Sequence, residues 1–362
     1  MMKASTVLED DMQLVPHRVD RWALMALIVA ALLVPPFLSE YWLKGILIPT
    51  LILSISALGL NLVTGYAGLI SLGQAAFMAV GAFAGVIAYG RYGIPIPLTL
   101  LIAGLTTAAV GVIVGTPSLR IKGLYLLVAT LAAHFLIIWI IQRVPWIGAQ
   151  SMVTVNTPPV IIAGFKVDSS VEQYYFALAV AAILTIFALN LTRSRVGRAW
   201  MAIRDQDIAA SVMGVSMLRY KLLAFMVSAF YGGIAGAMVV FAWVGAANVQ
   251  EYELELSINI LGMIIIGGLG SILGSFLGAA FLGLLPIVIS IVMHEFYAFT
   301  GGEIVSAAIL ANAEHVIFGS LIVFFLIAEP LGLAHLWHRF SRRVERQLNS
   351  GPDDGYTSPR QP

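Results

Sequence analysis

Ten apolar runs shape this chain, near residues 22–38, 45–64, 76–90, 98–116, 124–141, 174–192, 220–243, 257–269, 275–292 and 316–333. Crossing roughly 30 Å of hydrocarbon takes about 20 apolar residues, and fewer where neighbouring helices shelter the segment. Backbone N–H and C=O groups have no water to bond in lipid, so each run must satisfy its own groups as a helix. The 362 residues are 60% hydrophobic and only 11% charged, whereas soluble domains carry about 25% charged residues. The expected fold class is therefore an all-α integral membrane protein, a bundle of about ten transmembrane helices. Two segments rich in glycine, Thr64-Gly65-Tyr66-Ala67-Gly68 and Gly267-Gly268-Leu269-Gly270, predict interrupted helices that are buried in the bundle or line a cavity.

The charges divide the chain into an N-terminal segment over 1–21, a transmembrane domain over 22–338 and a polar tail over 339–362. The tail is rich in Gly and Pro beyond Leu348, a composition expected to be disordered. The first apolar run ends in Pro35-Pro36-Phe37-Leu38 and lacks a small-residue cleavage site, so it reads as an uncleaved span. With the N-terminus inside, sixteen of the twenty Lys and Arg fall on the cytoplasmic side. Only Lys44, Arg91, Arg143 and Lys166 fall outside, which satisfies the positive-inside rule with both termini cytoplasmic. There are no cysteines, which excludes disulfides and thiolate chemistry. A net charge of +1 gives no argument for nucleic acid.

One charged island interrupts the apolar pattern. Residues 193–218 contain Arg193, Arg195, Gly197, Arg198, Arg204, Asp205, Asp207, Ala209, Ala210 and Gly214. Charge is costly in lipid, so this stretch must lie in water or against a partner. Two alanines after an acidic residue, with a glycine four positions on, predict a short docking helix.

Glycines at helical spacing, Gly81 and Gly85, Gly232-Gly233 and Gly236, and Gly270, Gly274 and Gly278, predict close helix–helix approach. Polar residues inside spans need a partner or a wet cavity, which directs attention to Asn61, Gln74, His134, Asn190, Asn259 and Asn312. Asn61, Gly65, Ser71 and Gln74 surround the first break and could face a polar solute along a translocation path, with His134 and Asn259 as further candidates. His134 also reads as a structural histidine bonded to a neighbouring helix. The pentapeptides Gly68-Leu69-Ile70-Ser71-Leu72 and Gly268-Leu269-Gly270-Ser271-Ile272 agree at three of five positions. Such agreement marks an internal repeat in some transporters and arises by chance in a Gly/Leu-rich chain. Outside, Glu251, Tyr252, Glu253 and Glu255 form an acidic patch, read either as a solvated loop or as a docking surface for an external binding protein.

Enzyme chemistry has little support. The phosphate-binding pattern G-x-x-x-x-G-K-[ST] is absent, as are H-E-x-x-H and G-x-S-x-G. ATP and Mg, if used, belong to other chains, and no cofactor is expected on this one.

Residues 60–77 (Leu60-Asn61-Leu62-Val63-Thr64-Gly65-Tyr66-Ala67-Gly68-Leu69-Ile70-Ser71-Leu72-Gly73-Gln74-Ala75-Ala76-Phe77) carry a recognisable pattern. Leu119-Arg120-Ile121-Lys122-Gly123-Leu124-Tyr125, Ser194-Arg195-Val196-Gly197-Arg198 and Ile266-Gly267-Gly268-Leu269-Gly270-Ser271 follow it in order. Together they resemble the LivM-type permeases of branched-chain (hydrophobic) amino acid ABC transporters, over about residues 45–290. The resemblance implies a bacterial inner-membrane complex with a LivH-type second permease, two ATP-binding subunits and a periplasmic or extracellular solute-binding protein. It also implies that the island is a cytoplasmic coupling segment contacting the ATPase. There Arg198, Arg204, Asp205 and Asp207 would make polar contacts, and Ala209, Ala210 and Gly214 would permit close seating. The chain departs from the family pattern in three places: no Ile-x-Leu-Pro follows Gly214, no Thr-Gly-Gly follows Trp146, and Ser275 stands where proline is expected. Related permeases carry urea, amides or aromatic acids, so the solute stays open among these. An ion-coupled carrier and an intramembrane enzyme built on His134 are the competing classes.

Overall fold

The computed structural model describes residues 29, 31–118, 124–144, 155–156, 161–162, 165–166, 169–299 and scattered positions between 316 and 339. About half of the expected spans 22–38 and 316–333, together with Asn312 and the tail beyond 339, lies outside the described residues. The helices are α1 (Glu40–Tyr66), α2 (Gln74–Tyr92), α3 (Ile96–Ser118), α4 (Leu124–Arg143), α5 (Ser170–Arg193), α6 (Arg195–Asp205), α7 (Asp207–Val212), α8 (Met217–Val244), α9 (Leu254–Gly267) and α10 (Ile272–Phe299). Among the described residues seven are long and apolar enough to cross a membrane, and α9 is a shorter apolar helix. The protein is an all-α membrane bundle, and these eight helices overlie the expected spans, with ends shifted by up to seven residues. Two short antiparallel ladders complete it, β1 (Val155–Asn156) with β4 (Ala246–Ala247) and β2 (Ile161–Ile162) with β3 (Phe165–Lys166).

Two helices form the centre. α1 and α8 bury 78% and 83% of their apolar windows, against 28% for α4 and for α5, so the last two present most of their surface to lipid or a partner. α8 packs on α1, α2 and α3, while α10 packs on α9 and α1. Small residues explain how closely. A Cβ on Gly236 would run into the Met78 carbonyl of α2, and one on Gly81 would run into the Gly233 carbonyl. Helices with no hydrophobic drive between them associate through this kind of backbone approach. The glycine series therefore serves packing.

Local chemistry sets the helix ends. Ser169 and Glu172 form a capping box that starts α5. α1 contains two π-turns, Leu43–Leu47 and Leu62–Tyr66, and the second unwinds into the break that precedes α2. At the opposite end Glu40 accepts from Lys44 at 2.7 Å and from Ser170 at 3.0 Å, tying α1 to α5.

Candidate coupling segment and helix-break junction

The break between α1 and α2 and the break between α9 and α10 meet. Asn61 donates through Nδ2 to the Ser271 carbonyl at 2.7 Å and to Ser275 Oγ at 2.9 Å, and its Oδ1 accepts from the Gly270 N–H at 2.8 Å. A buried amide that uses its donors and its carbonyl in this way is a crosslink. Ser275 supplies one of the partners, through a hydroxyl that the proline expected here from the resemblance would lack. The two resembling pentapeptides occupy equivalent roles: each is a non-helical link, with Gly68 at φ 71°, Gly268 at φ 116° and Gly270 at φ 78°. Gly65 lies so close to Gly270 that a Cβ would overlap the Gly270 nitrogen.

The remaining polar groups at the first break are also satisfied internally. Gln74 is fully buried, donates to the Ser56 carbonyl at 3.1 Å and accepts from Ser228 Oγ at 3.1 Å, which joins α2 to α1 and α8. Ser71 Oγ accepts from the Gly73 N–H at 3.3 Å, and Thr130 Oγ1 of α4 accepts from the Leu72 N–H at 3.1 Å. Of the two expectations for this glycine-rich stretch, burial in the bundle is the one observed for Asn61, Gly65, Ser71 and Gln74. Asn61, Gln74 and the Gly65 carbonyl bond to neighbouring segments, and Ser71 bonds within the link itself.

His134 belongs to the buried stripe of α4, with Leu126, Thr130, Ile137 and Ile141 at helical spacing. Its ring meets Phe135 edge-on at 5.5 Å, and its Nδ1 has no hydrogen-bond partner. The expected bond from this histidine to a neighbouring helix is therefore not made through Nδ1.

The acidic run lies deeper than its sequence implied. Ser257, in the first turn of α9, accepts from the Ala75 N–H at 2.9 Å. Ala75 opens α2, whose far end at Tyr92 is about 25 Å away along the axis. The segment between α8 and α9 thus dips back into the bundle. Tyr252 is fully buried there, its hydroxyl donating to the Gly236 carbonyl at 3.5 Å, so it anchors the dip and is not available as a docking surface. Glu251, Glu253 and Glu255 are exposed at this depth, and half-buried Asn259 follows Glu255 by one turn on the same face of α9.

The charged island folds as two helices. Ser194 caps α6, its Oγ accepting from the Val196 N–H at 3.1 Å. Gly197 is buried against the Thr192 backbone and makes the corner with α5. Trp200 is fully buried and donates to the Tyr220 carbonyl at 2.8 Å, locking α6 onto the start of α8. Gln206 breaks the helix in extended geometry, and α7 follows. Arg195, Arg198, Asp205 and Ala209 are exposed, and Asp207 is half-buried in the first turn of α7. Ala210, in contrast, is buried against its own chain, so it seats α7 on the bundle. Arg204 is exposed as well, and its Nη1 donates to the Gly65 carbonyl at 3.0 Å. Gly214 adopts φ 87° after α7, where any other residue costs about 1–2 kcal/mol of strain although nothing lies within 4 Å.

Three residues were not singled out from sequence. Ile208, Val212 and Met213 are 74%, 83% and 85% exposed, and together they form an apolar cap on α7. Their spacing around one short helix, inside a charged island, was the available signal. An exposed apolar cap of this kind suits contact with a protein or a membrane surface.

The comparisons with known proteins agree with this architecture. Residues 43–326 match the family model described as branched-chain amino acid transport system / permease component. The chain is 30% identical over 355 residues to the high-affinity branched-chain amino acid transport system permease protein LivM of Escherichia coli strain K12, covering 92% of this chain and 78% of that protein. It is 29% identical, with the same coverage, to LivM of Salmonella typhimurium strain LT2. It is 26% identical over 304 residues to the ribose import permease protein RbsC of Haemophilus influenzae, covering 79% of this chain and 88% of that protein. No solved structure matches it. With a model match over most of its length, the chain is a multi-pass membrane protein that belongs to the branched-chain amino acid transport system permease family.

Proposed function

We propose that the protein is the transmembrane permease subunit of an ATP-driven importer for branched-chain or related hydrophobic amino acids. The observation that carries the coupling part of this reading is α7. It is a short helix at the end of a charged island, held on the bundle by Ala210 and presenting Ile208, Val212 and Met213 outward. Exposed apolar residues in a segment that also exposes Arg195, Arg198 and Asp205 fit a groove on a separate ATP-binding subunit. In this reading the island faces the cytoplasm, a second permease pairs with the chain, and a binding protein delivers solute from outside.

The exposed carboxylates support a path beside α9. Charges do not face hydrocarbon, so in this reading exposed Glu251, Glu253 and Glu255, with half-buried Asn259, lie on a face covered by water and the second permease. The amino acid assignment rests on the relatives' names, and relatives that import other solutes, ribose among them, keep the solute itself open to test.

Replacing Ile208, Val212 and Met213 together by aspartate is expected to remove the ATPase subunits from the purified complex. Recovery should fall at least about tenfold, since central apolar anchors dominate such contacts. The thermal stability of the chain itself should not change, because all three side chains are exposed. Undiminished recovery of ATPase subunits with this variant would contradict α7 as the dock.

A further inference from the structure

Arg204 joins three segments that are far apart in sequence. It is the penultimate residue of α6, so only Asp205 and Gln206 separate it from the docking helix α7. Its Nη1 donates to the Gly65 carbonyl at 3.0 Å, and its Nε donates to Asp205 Oδ1 at 3.0 Å. A continuing helix would give the Leu69 N–H to Gly65, but that N–H turns back to the Val63 carbonyl at 3.0 Å. The break thus frees a carbonyl, and a guanidinium from the island takes it.

The second break lies beside the same side chain. A Cβ on Gly270 would stand 3.2 Å from Arg204 Nη1, and one on Gly68 would stand 3.1 Å from Arg204 Cγ. Glycine at φ 71° and φ 78° leaves room for the arginine between the two links. Asn61 then ties the links to each other through the Gly270 N–H and the Ser271 carbonyl. One arginine from the segment next to α7 therefore bonds the first break and lies against the second.

We propose that Arg204 is a positioning residue through which displacement of α7 is transmitted to the junction of the α1–α2 and α9–α10 breaks. The proposal rests on the importer reading, because it takes an ATPase on α7 as the source of the displacement. Arg204 does not touch solute in this role. It acts on the links, and the links set the relation between α1, which carries Asn61, and α9, which carries Glu255 and Asn259.

The absence of native cysteine makes a direct test available. Ile70→Cys and Leu269→Cys place one spin label on each break at exposed positions. The distance between labels is measured in the purified complex with its ATPase subunits, with and without a non-hydrolysable ATP analogue. The native arginine should give a nucleotide-dependent shift. Arg204→Ala and Arg204→Met should lower the responding population about tenfold, the effect of losing one charged hydrogen bond, with ATPase recovery and ATP hydrolysis unchanged. Arg204→Lys retains a donor for Gly65 and should recover most of the response. Arg204→Met fills the same space and carries the test if the alanine variant does not assemble.

A shift in Arg204→Met equal to that with arginine, or no shift with arginine itself, overturns the proposal. Loss of ATPase subunits from Arg204→Met also overturns it, because Arg204 would then be part of the dock. Failure to recover any ATPase with the unmodified residue 204 instead refutes the importer reading on which it rests.

Discussion

Gly236→Leu is expected to leave no properly assembled protein. A Cβ at this position meets the Met78 carbonyl and backbone, which a rotamer change cannot move aside. α2 and α8 would have to separate along the contact that also buries Phe77, Met78, Ala237 and Met238. The cost is at least about 4 kcal/mol, at the upper end of single substitutions. Gly93→Ala is the matched control: Gly93 has φ 61° but nothing within 4 Å, so only backbone strain of about 1–2 kcal/mol applies. Gel filtration in mild detergent should give a single peak for Gly93→Ala and aggregate for Gly236→Leu. A monodisperse, native-like Gly236→Leu would contradict the observed helix approach.

Asn61→Leu removes the crosslink between the two breaks. Leucine is close in size but can neither donate to the Ser271 carbonyl and Ser275 Oγ nor accept from the Gly270 N–H. Losing these bonds within a membrane bundle should cost about 2–4 kcal/mol, the range set by individual interhelical and buried hydrogen bonds. Ser275→Ala should cost less, because Asn61 keeps its other two partners. In the double variant the losses should be less than additive, by about 1 kcal/mol, as for residues sharing one network. Thermal unfolding in detergent measures all three. Full additivity would show that the two side chains act independently.

The helices were legible because their signal is physical and local. Long apolar runs must be helices in lipid, and eight of them appear where the hydrophobic pattern places them. Gly65, Gly68 and Gly270 announced broken helices for the same reason, since glycine-rich stretches end regular structure. What the breaks do was not legible. Asn61 and Gln74 stand out as polar groups in apolar spans, but their partners Ser271, Ser275, Ser56 and Ser228 do not. Those partners are remote in sequence, and no spacing rule connects Asn61 to Ser275.

The island shows the same limit at its own surface. Charge located it, but charge alone does not say which side chains face outward. Arg204 is exposed like its neighbours, and no spacing rule connects it to the Gly65 carbonyl that it bonds. Ala210 reads as a smooth seat for a partner until it is seen buried. Ile208, Val212 and Met213 are inconspicuous in a chain that is 60% hydrophobic, and only their exposure distinguishes them. The acidic run illustrates depth: Glu251 to Glu255 looks like any solvated loop, and only the bonds of Tyr252 and Ser257 place it inside the bundle.

Affinity purification of the tagged full chain in mild detergent, followed by mass spectrometry of its companions, tests the central claim most directly. The importer reading predicts a second, related permease and two ATP-binding subunits in the same complex. A chain that purifies alone, and moves solute in liposomes along a proton or sodium gradient without ATP, would contradict it.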